Sequence, residues 1–204
     1  MNNVILRRLC QTIVAISATV ALAACQPPAK QPDQSPPLAG ATIGGAFALT
    51  DQDGRAVTDR DFAGKYRIMY FGYTFCPDVC PTDLQVIGTA LAQLDKNDPD
   101  LARRVVPIFV TIDPARDTPE MLKQYVSAFH PRMVGLTGSA AAIDKVAKEF
   151  AVYYQKGDAA PGGGYLMQHS SQAYLMDPAG KPLALLPTDQ GAKAVAAEIE
   201  RWAR

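Results

Sequence analysis

The chain has 204 residues, 20 basic and 20 acidic side chains, and a formal net charge of zero. Hydrophobic residues make up 48 % and charged residues 20 %, a globular balance that excludes a disordered or fibrous chain and argues against an extended nucleic-acid surface. Four cysteines are too few for a disulfide-scaffolded mini-protein, although their even number invites two structural bridges.

Residues 1–24 do not belong to that balance. Arg7 and Arg8 precede an apolar stretch from Leu9 to Ala24, which is short for a membrane-spanning helix and has the form of an export signal. It ends in Leu22-Ala23-Ala24-Cys25, which resembles a bacterial lipobox and predicts lipid attachment at Cys25. The signal carries two arginines and no acid, so the remaining 180 residues hold 18 basic and 20 acidic side chains, a net charge of −2. Cys10 leaves with the signal, and only Cys76 and Cys80 remain as thiols, in an oxidising compartment. Residues 25–42, with five prolines and few apolar side chains, read as a semi-rigid lipidated tether.

Residues 43–204 carry globular patterning. Phe47–Thr50 and Arg55–Val57 flank a turn ending in Asp53-Gly54 and predict a hairpin. Tyr66–Gly72 predicts a core strand, followed by a helix with Leu84, Ile87, Leu91 and Leu94 on one face. Pro81 is placed beside the start of that helix and Thr82 is a candidate N-cap. Val105–Ile112 predicts a buried strand. Thr118-Pro119-Glu120 then starts a helix with Met121, Leu122, Tyr125, Val126 and Phe129 inward. A short strand at Met133–Leu136 precedes a Ser139-capped helix with Ile143, Val146, Ala147 and Phe150 inward. Val152–Tyr154 reads as a further short strand and 157–164 as a loop. Gln172–Met176 and Pro182–Leu186 form a late hairpin, and Val195, Ile199 and Trp202 mark a terminal helix. This order, with cysteines directly after the first core strand, predicts one α/β domain with a thioredoxin-like fold, an N-terminal β-hairpin and a late β-hairpin insertion.

Cys76 and Cys80 carry the chemistry. Four residues apart, they share a face if the segment is helical, and a helix N-terminus there favours thiolate. A structural disulfide would close a loop of only about five residues and contribute little, so redox or metal chemistry is the stronger reading. Spacing separates those two poorly, although it is one residue longer than the usual oxidoreductase pair. There are two histidines. His130 follows a helix and suits its C-terminal dipole. His169 lies between a glycine-rich loop and a strand, in reach of the cysteine turn if the fold is thioredoxin-like, and on spacing alone a satisfied loop histidine is an equal reading. Two thiolates and one imidazole suit copper as Cu(I) or Cu(II), whereas a structural zinc site would want a fourth ligand. Met167 shares the side of His169 and reads as core.

The segments Phe71–Pro81, Thr111–Glu120, Val134–Gly138 and His169-Ser170, in that order, resemble the Sco/SenC family over roughly residues 43–200. The resemblance implies copper ligation by Cys76, Cys80 and His169. It implies a redox-active Cys76–Cys80 pair, and for Asp113 a role in orienting the site or meeting a partner. An exposed turn aspartate is an equally good reading of Asp113. The implied function is a copper metallochaperone, rather than an enzyme, assisting assembly of the dinuclear copper centre of cytochrome c oxidase. A thiol–disulfide oxidoreductase that reduces the target's cysteines is the alternative, and a peroxidase a weaker third. Implied partners are the oxidase's copper-bearing subunit, other periplasmic copper chaperones or thiol reductants, and a membrane through the lipid, with no nucleic acid. The domain would sit outside the cytoplasm, on the periplasmic face. Many relatives carry an acid before the histidine where this chain has Gln168.

Overall fold

A computed structural model describes residues 35–159 and 164–203. The proposed signal, Cys10 and Cys25 lie outside the described residues. The compact unit spans Pro36–Arg204, and Leu38 already donates its N–H to the Leu183 carbonyl at 2.9 Å.

The strands are β1 (Ala48–Asp51), β2 (Ala56–Thr58), β3 (Tyr66–Gly72), β4 (Val105–Thr111) and β5 (Val134–Thr137). They are followed by β6 (Tyr154–Ala159), β7 (Tyr165–His169), β8 (Ala173–Met176) and β9 (Pro182–Leu186). The helices are α1 (Val79–Asn97), α2 (Pro99–Arg104), α3 (Pro119–Ser127), α4 (Ala140–Glu149) and α5 (Ala192–Trp202). Seven strands form one sheet in the order β2-β1-β5-β4-β3-β8-β9. β3, β4 and β5 run parallel, with Tyr70 beside Phe109 and Phe109 beside Gly135, and β8 joins β3 antiparallel. Parallel strands need covered faces, and β3 and β4 are apolar and almost wholly buried as that requires. The architecture is the expected thioredoxin-like α/β arrangement, with β1–β2 as the N-terminal hairpin.

Alternation along β3 divides the core into two layers. Tyr70 packs with Phe109, which meets Tyr125 of α3, and the Tyr70 hydroxyl donates to Asp83 of α1 at 2.9 Å. Phe71 points the other way, to Phe150 at the end of α4, which in turn meets Tyr174. Truncating such a side chain to alanine costs about 3–5 kcal/mol.

Several expectations shift in detail. α1 begins at Val79, with Asp78 at the N-cap position but making no side-chain cap hydrogen bond, four residues before the proposed Thr82 cap. A proline is tolerated in a first turn, where backbone N–H groups have no intrahelical partner, so Pro81 sits inside the helix rather than at its edge. In α3, Leu122 and Val126 are buried, whereas Met121 is exposed. α2, six residues long, adds a short helix between α1 and β4. The predicted Val152–Tyr154 strand instead starts at Tyr154 and continues into the predicted loop, pairing with β7 as a separate two-stranded sheet. The late hairpin β8–β9 extends the main sheet, β8 pairing with β3.

Candidate metal centre

The C-terminal ends of β3 and β4 define the site. β3 ends at Gly72, and the chain turns through Tyr73–Cys76, with the Cys76 N–H donating to the Tyr73 carbonyl at 3.2 Å. Asp117, fully buried after β4, pins this turn. Its carboxylate accepts from the Thr74 N–H at 3.0 Å, the Thr74 hydroxyl at 2.6 Å and the Thr111 hydroxyl at 2.6 Å. Burial pushes the Asp117 carboxyl above the usual range, against those three hydrogen bonds.

The two cysteines do not share a helical face. Cys80 lies in the first turn of α1, while Cys76 precedes the helix, and the Cys80 N–H donates to Cys76 Sγ at 3.4 Å. The sulfur thus takes up a backbone donor that the helix itself leaves unsatisfied. Cys80 is fully buried and Cys76 half-buried, and both are free of disulfides. Burial, assisted by the neighbouring Cys76, pushes the Cys80 thiol well above its ordinary range, against hydrogen bonds from the Tyr73 backbone and the Tyr70 hydroxyl. Gly72 makes room for it. A Cβ there would stand 2.8 Å from Cys80 Sγ and 3.0 Å from the Phe109 ring.

His169 closes the group from the end of β7, with Nε2 at 3.2 Å from Cys80 Sγ. Its Nδ1 lies 2.8 Å from the Ser170 carbonyl, which can only accept, so Nδ1 carries the hydrogen and Nε2 offers its lone pair toward the sulfurs. The Tyr73 ring meets the imidazole edge-on at 5.9 Å. The two sulfurs and the imidazole nitrogen all lie within 4.8 Å of one another. Two thiolates bound to one ion at about 2.3 Å each span at most about 4.6 Å, so small side-chain adjustments let this set close on a single ion. Soft sulfur with one nitrogen, the ring orientation fixed by a backbone carbonyl, matches copper chemistry. A cleft of about 580 Å³ opens beside Cys76 and His169, walled by Tyr73, Val79, Leu166 and Met167, and Gln168 stands exposed on its lip.

The remaining sequence candidates separate. Asp113 is only 4 % exposed, which overturns the exposed-turn reading, and it accepts from Arg116 Nε at 2.6 Å and from the Tyr165 hydroxyl at 2.8 Å. Met167 packs against the core. His130 does not serve the α3 dipole. Its ring is buried against α1, with Nε2 3.1 Å from Asp95, while Nδ1 accepts the Arg132 N–H at 3.3 Å. Gly72, Asp117, Arg116 and Tyr165 escaped sequence reasoning as site residues, because only the fold reveals their partners.

A SCO1/SenC family model matches residues 35–204. The chain belongs to the SCO1/SenC family. It is 39 % identical over 153 residues to "Protein SCO2, mitochondrial" of Saccharomyces cerevisiae, covering 74 % of this chain and 50 % of that protein. It is 40 % identical over 155 residues to the "SCO2-like protein" of Rickettsia felis, covering 75 % and 73 %. The chain spans about half the length of the first eukaryotic relatives it matches. Among solved structures, ScoI of Bradyrhizobium japonicum with copper bound superposes with a TM-score of 0.71 at 42 % identity, covering 78 % of this chain and 99 % of that one.

Proposed function

We propose that this SCO1/SenC protein binds one copper ion through Cys76, Cys80 and His169 and passes it to the copper-bearing subunit of cytochrome c oxidase as its dinuclear copper centre is assembled. The carrying observation is the convergence of two thiols and an imidazole whose Nε2 lone pair already faces them. The copper held by the Bradyrhizobium relative supports the same cargo here. Thiolates suit Cu(I), and the imidazole extends the set to Cu(II). Burial of Cys80 beside half-buried Cys76 leaves the cleft as the side from which acceptor ligands reach the ion. Among the described residues no helix is long and apolar enough to cross a membrane. A lipid on Cys25 and the proline-containing segment between it and Pro36, where the compact unit begins, would hold the domain at the outer face of a bacterial membrane, where periplasmic copper donors or thiol reductants meet it.

Titration of the reduced full-length protein with Cu(I) and with Cu(II) tests this. One equivalent binds tightly, binding weakens in His169→Ala, and oxidation to the disulfide abolishes it because no thiolate remains. Equal affinity before and after reduction rejects the reading.

A second reading, reduction of a target's disulfide, is favoured by the asymmetry of the sulfurs. Cys76 is the more accessible and accepts a helix N-terminal N–H, whereas Cys80 is buried behind it. The Cys76 thiolate attacks the target disulfide and forms a mixed disulfide, expelling one target thiolate. Cys80 then attacks Cys76, releasing the second target thiol and closing Cys76–Cys80, so two electrons pass to the target. Cys80→Ser therefore accumulates the mixed disulfide and Cys76→Ser does not.

A further inference from the structure

The donor set is assembled from two parts of the fold that share no strand pairing. Cys76 and Cys80 follow β3, whereas His169 ends the β6–β7 hairpin, a two-stranded sheet of its own. Main-sheet pairing therefore does not fix where the imidazole sits. Alternation along β7 turns Tyr165, Met167 and His169 inward and leaves Leu166 and Gln168 exposed. Met167 makes an apolar contact, which has no direction. Tyr165 makes a directional one. Its hydroxyl donates to Asp113, and the Arg116 guanidinium lies 3.7 Å from its ring centroid. That guanidinium also stands 4.7 Å from the ring of Phe75, the residue before Cys76, and 5.8 Å from the ring of Tyr73, which packs on His169. Its Nε is bound to the buried Asp113 carboxylate.

We infer that Arg116, fixed by Asp113 and gripping the rings of Tyr165, Phe75 and Tyr73, is the clasp that sets His169 against the two thiols. It is a positioning residue for the metal centre proposed above, and the inference rests on that reading. Its Nη2 is buried without a hydrogen-bond partner, a cost that an arginine serving only an ion pair at the surface avoids. The guanidinium lies closest to the Tyr165 ring, where cation–π attraction adds to the ion pair with Asp113. A lysine ammonium has no planar face to lay against Tyr165 while its charge is held by Asp113.

Hydrogen exchange and copper titration of the full-length protein test the clasp. In metal-free Arg116→Ala, amides 165–169 exchange about tenfold faster while those of β3 and β4 keep their protection. Tyr165→Phe, which keeps the ring and loses the hydroxyl, gives a smaller increase and serves if the arginine variant folds poorly. Arg116→Ala weakens Cu(I) binding about tenfold in the presence of His169 and leaves it unchanged in the His169→Ala background. Unaltered exchange of the hairpin in both variants overturns the clasp. So does an equal loss of copper affinity in both backgrounds, since Arg116 would then act on the cysteines or on the whole fold. If the unsubstituted protein binds no copper, the metal-centre reading fails, and the exchange measurement alone decides the clasp.

Discussion

Gly72 is a position where a single methyl group decides whether the site exists. It ends β3 in an extended conformation that any residue can adopt, so its value is space. A Cβ would lie 2.8 Å from Cys80 Sγ, 3.0 Å from Phe109 and 3.2 Å from Tyr70, all of them well inside ordinary contact. All three neighbours are buried, but the sulfur takes the shortest approach and sits in the first turn of α1, so it is the group that has to move. Overpacking of this kind costs about 1–3 kcal/mol. Gly72→Ala is therefore expected to fold with a lower urea midpoint and to lose at least about tenfold in Cu(I) affinity, read by competition with a chelator. His169 is untouched by the change, so a variant with lowered stability and full copper affinity would show that the sulfur had not moved. The motif around the cysteines displays Gly72 in plain sight, yet its role depends on a ring from β4, which the local sequence does not contain.

Helix α1 carries Cys80, and its seat depends on a second glycine. Gly88 packs against the end of α3, where a Cβ would stand 2.3 Å from the Phe129 carbonyl oxygen. In an exposed helix, glycine to alanine gains about 1 kcal/mol. Here the obstacle is backbone and the overlap exceeds an ångström, so the packing loss reaches about 3 kcal/mol and wins. Gly88→Ala should lower stability by about 2 kcal/mol, which in a domain of this size is roughly 4–8 °C in Tm by calorimetry. A rise in Tm would show that α3 gives way. The same long-range logic explains which elements were legible. β3, β4 and α4 carry strong apolar runs or helical stripes, and their sequences alone place them. α2 has six residues, too few for a period to show. β6 reads Tyr-Gln-Lys-Gly-Asp-Ala, without alternation, because it forms an outlying hairpin whose strand partner is only β7. Cys76, Cys80 and His169 were legible as residue types and family motifs, but Asp113 was not legible as buried. Its cover comes from Tyr165, 52 residues away.

At the scale of the whole molecule, a polar clip away from the thiols ties helices to strands and makes stability depend on pH. Asp95 of α1 takes His130 Nε2 on one oxygen and Arg132 on the other, and Arg132 Nη1 also donates to the Ala102 and Val105 carbonyls at 2.7 and 2.9 Å. His130 is 5 % exposed, and its Nδ1 accepts a backbone N–H, an arrangement that requires the neutral ring. Burial holds the His130 pKa below its ordinary value, Arg132 reinforces that direction, and Asp95 opposes it. The unfolded chain therefore binds the proton more readily than the folded one. The stability due to the neutral ring is complete above the ordinary histidine range, near pH 6.5, and is lost as pH falls below it. One such group contributes a slope of at most about 1.4 kcal/mol per pH unit. Urea unfolding of the metal-free protein between about pH 7.5 and 5.5 should show the midpoint falling with pH. His130→Gln, which cannot take up a proton, should flatten that fall. A slope that survives in His130→Gln would assign the acid sensitivity to other groups, and the clip would then be a constant contribution to the fold rather than one that pH adjusts.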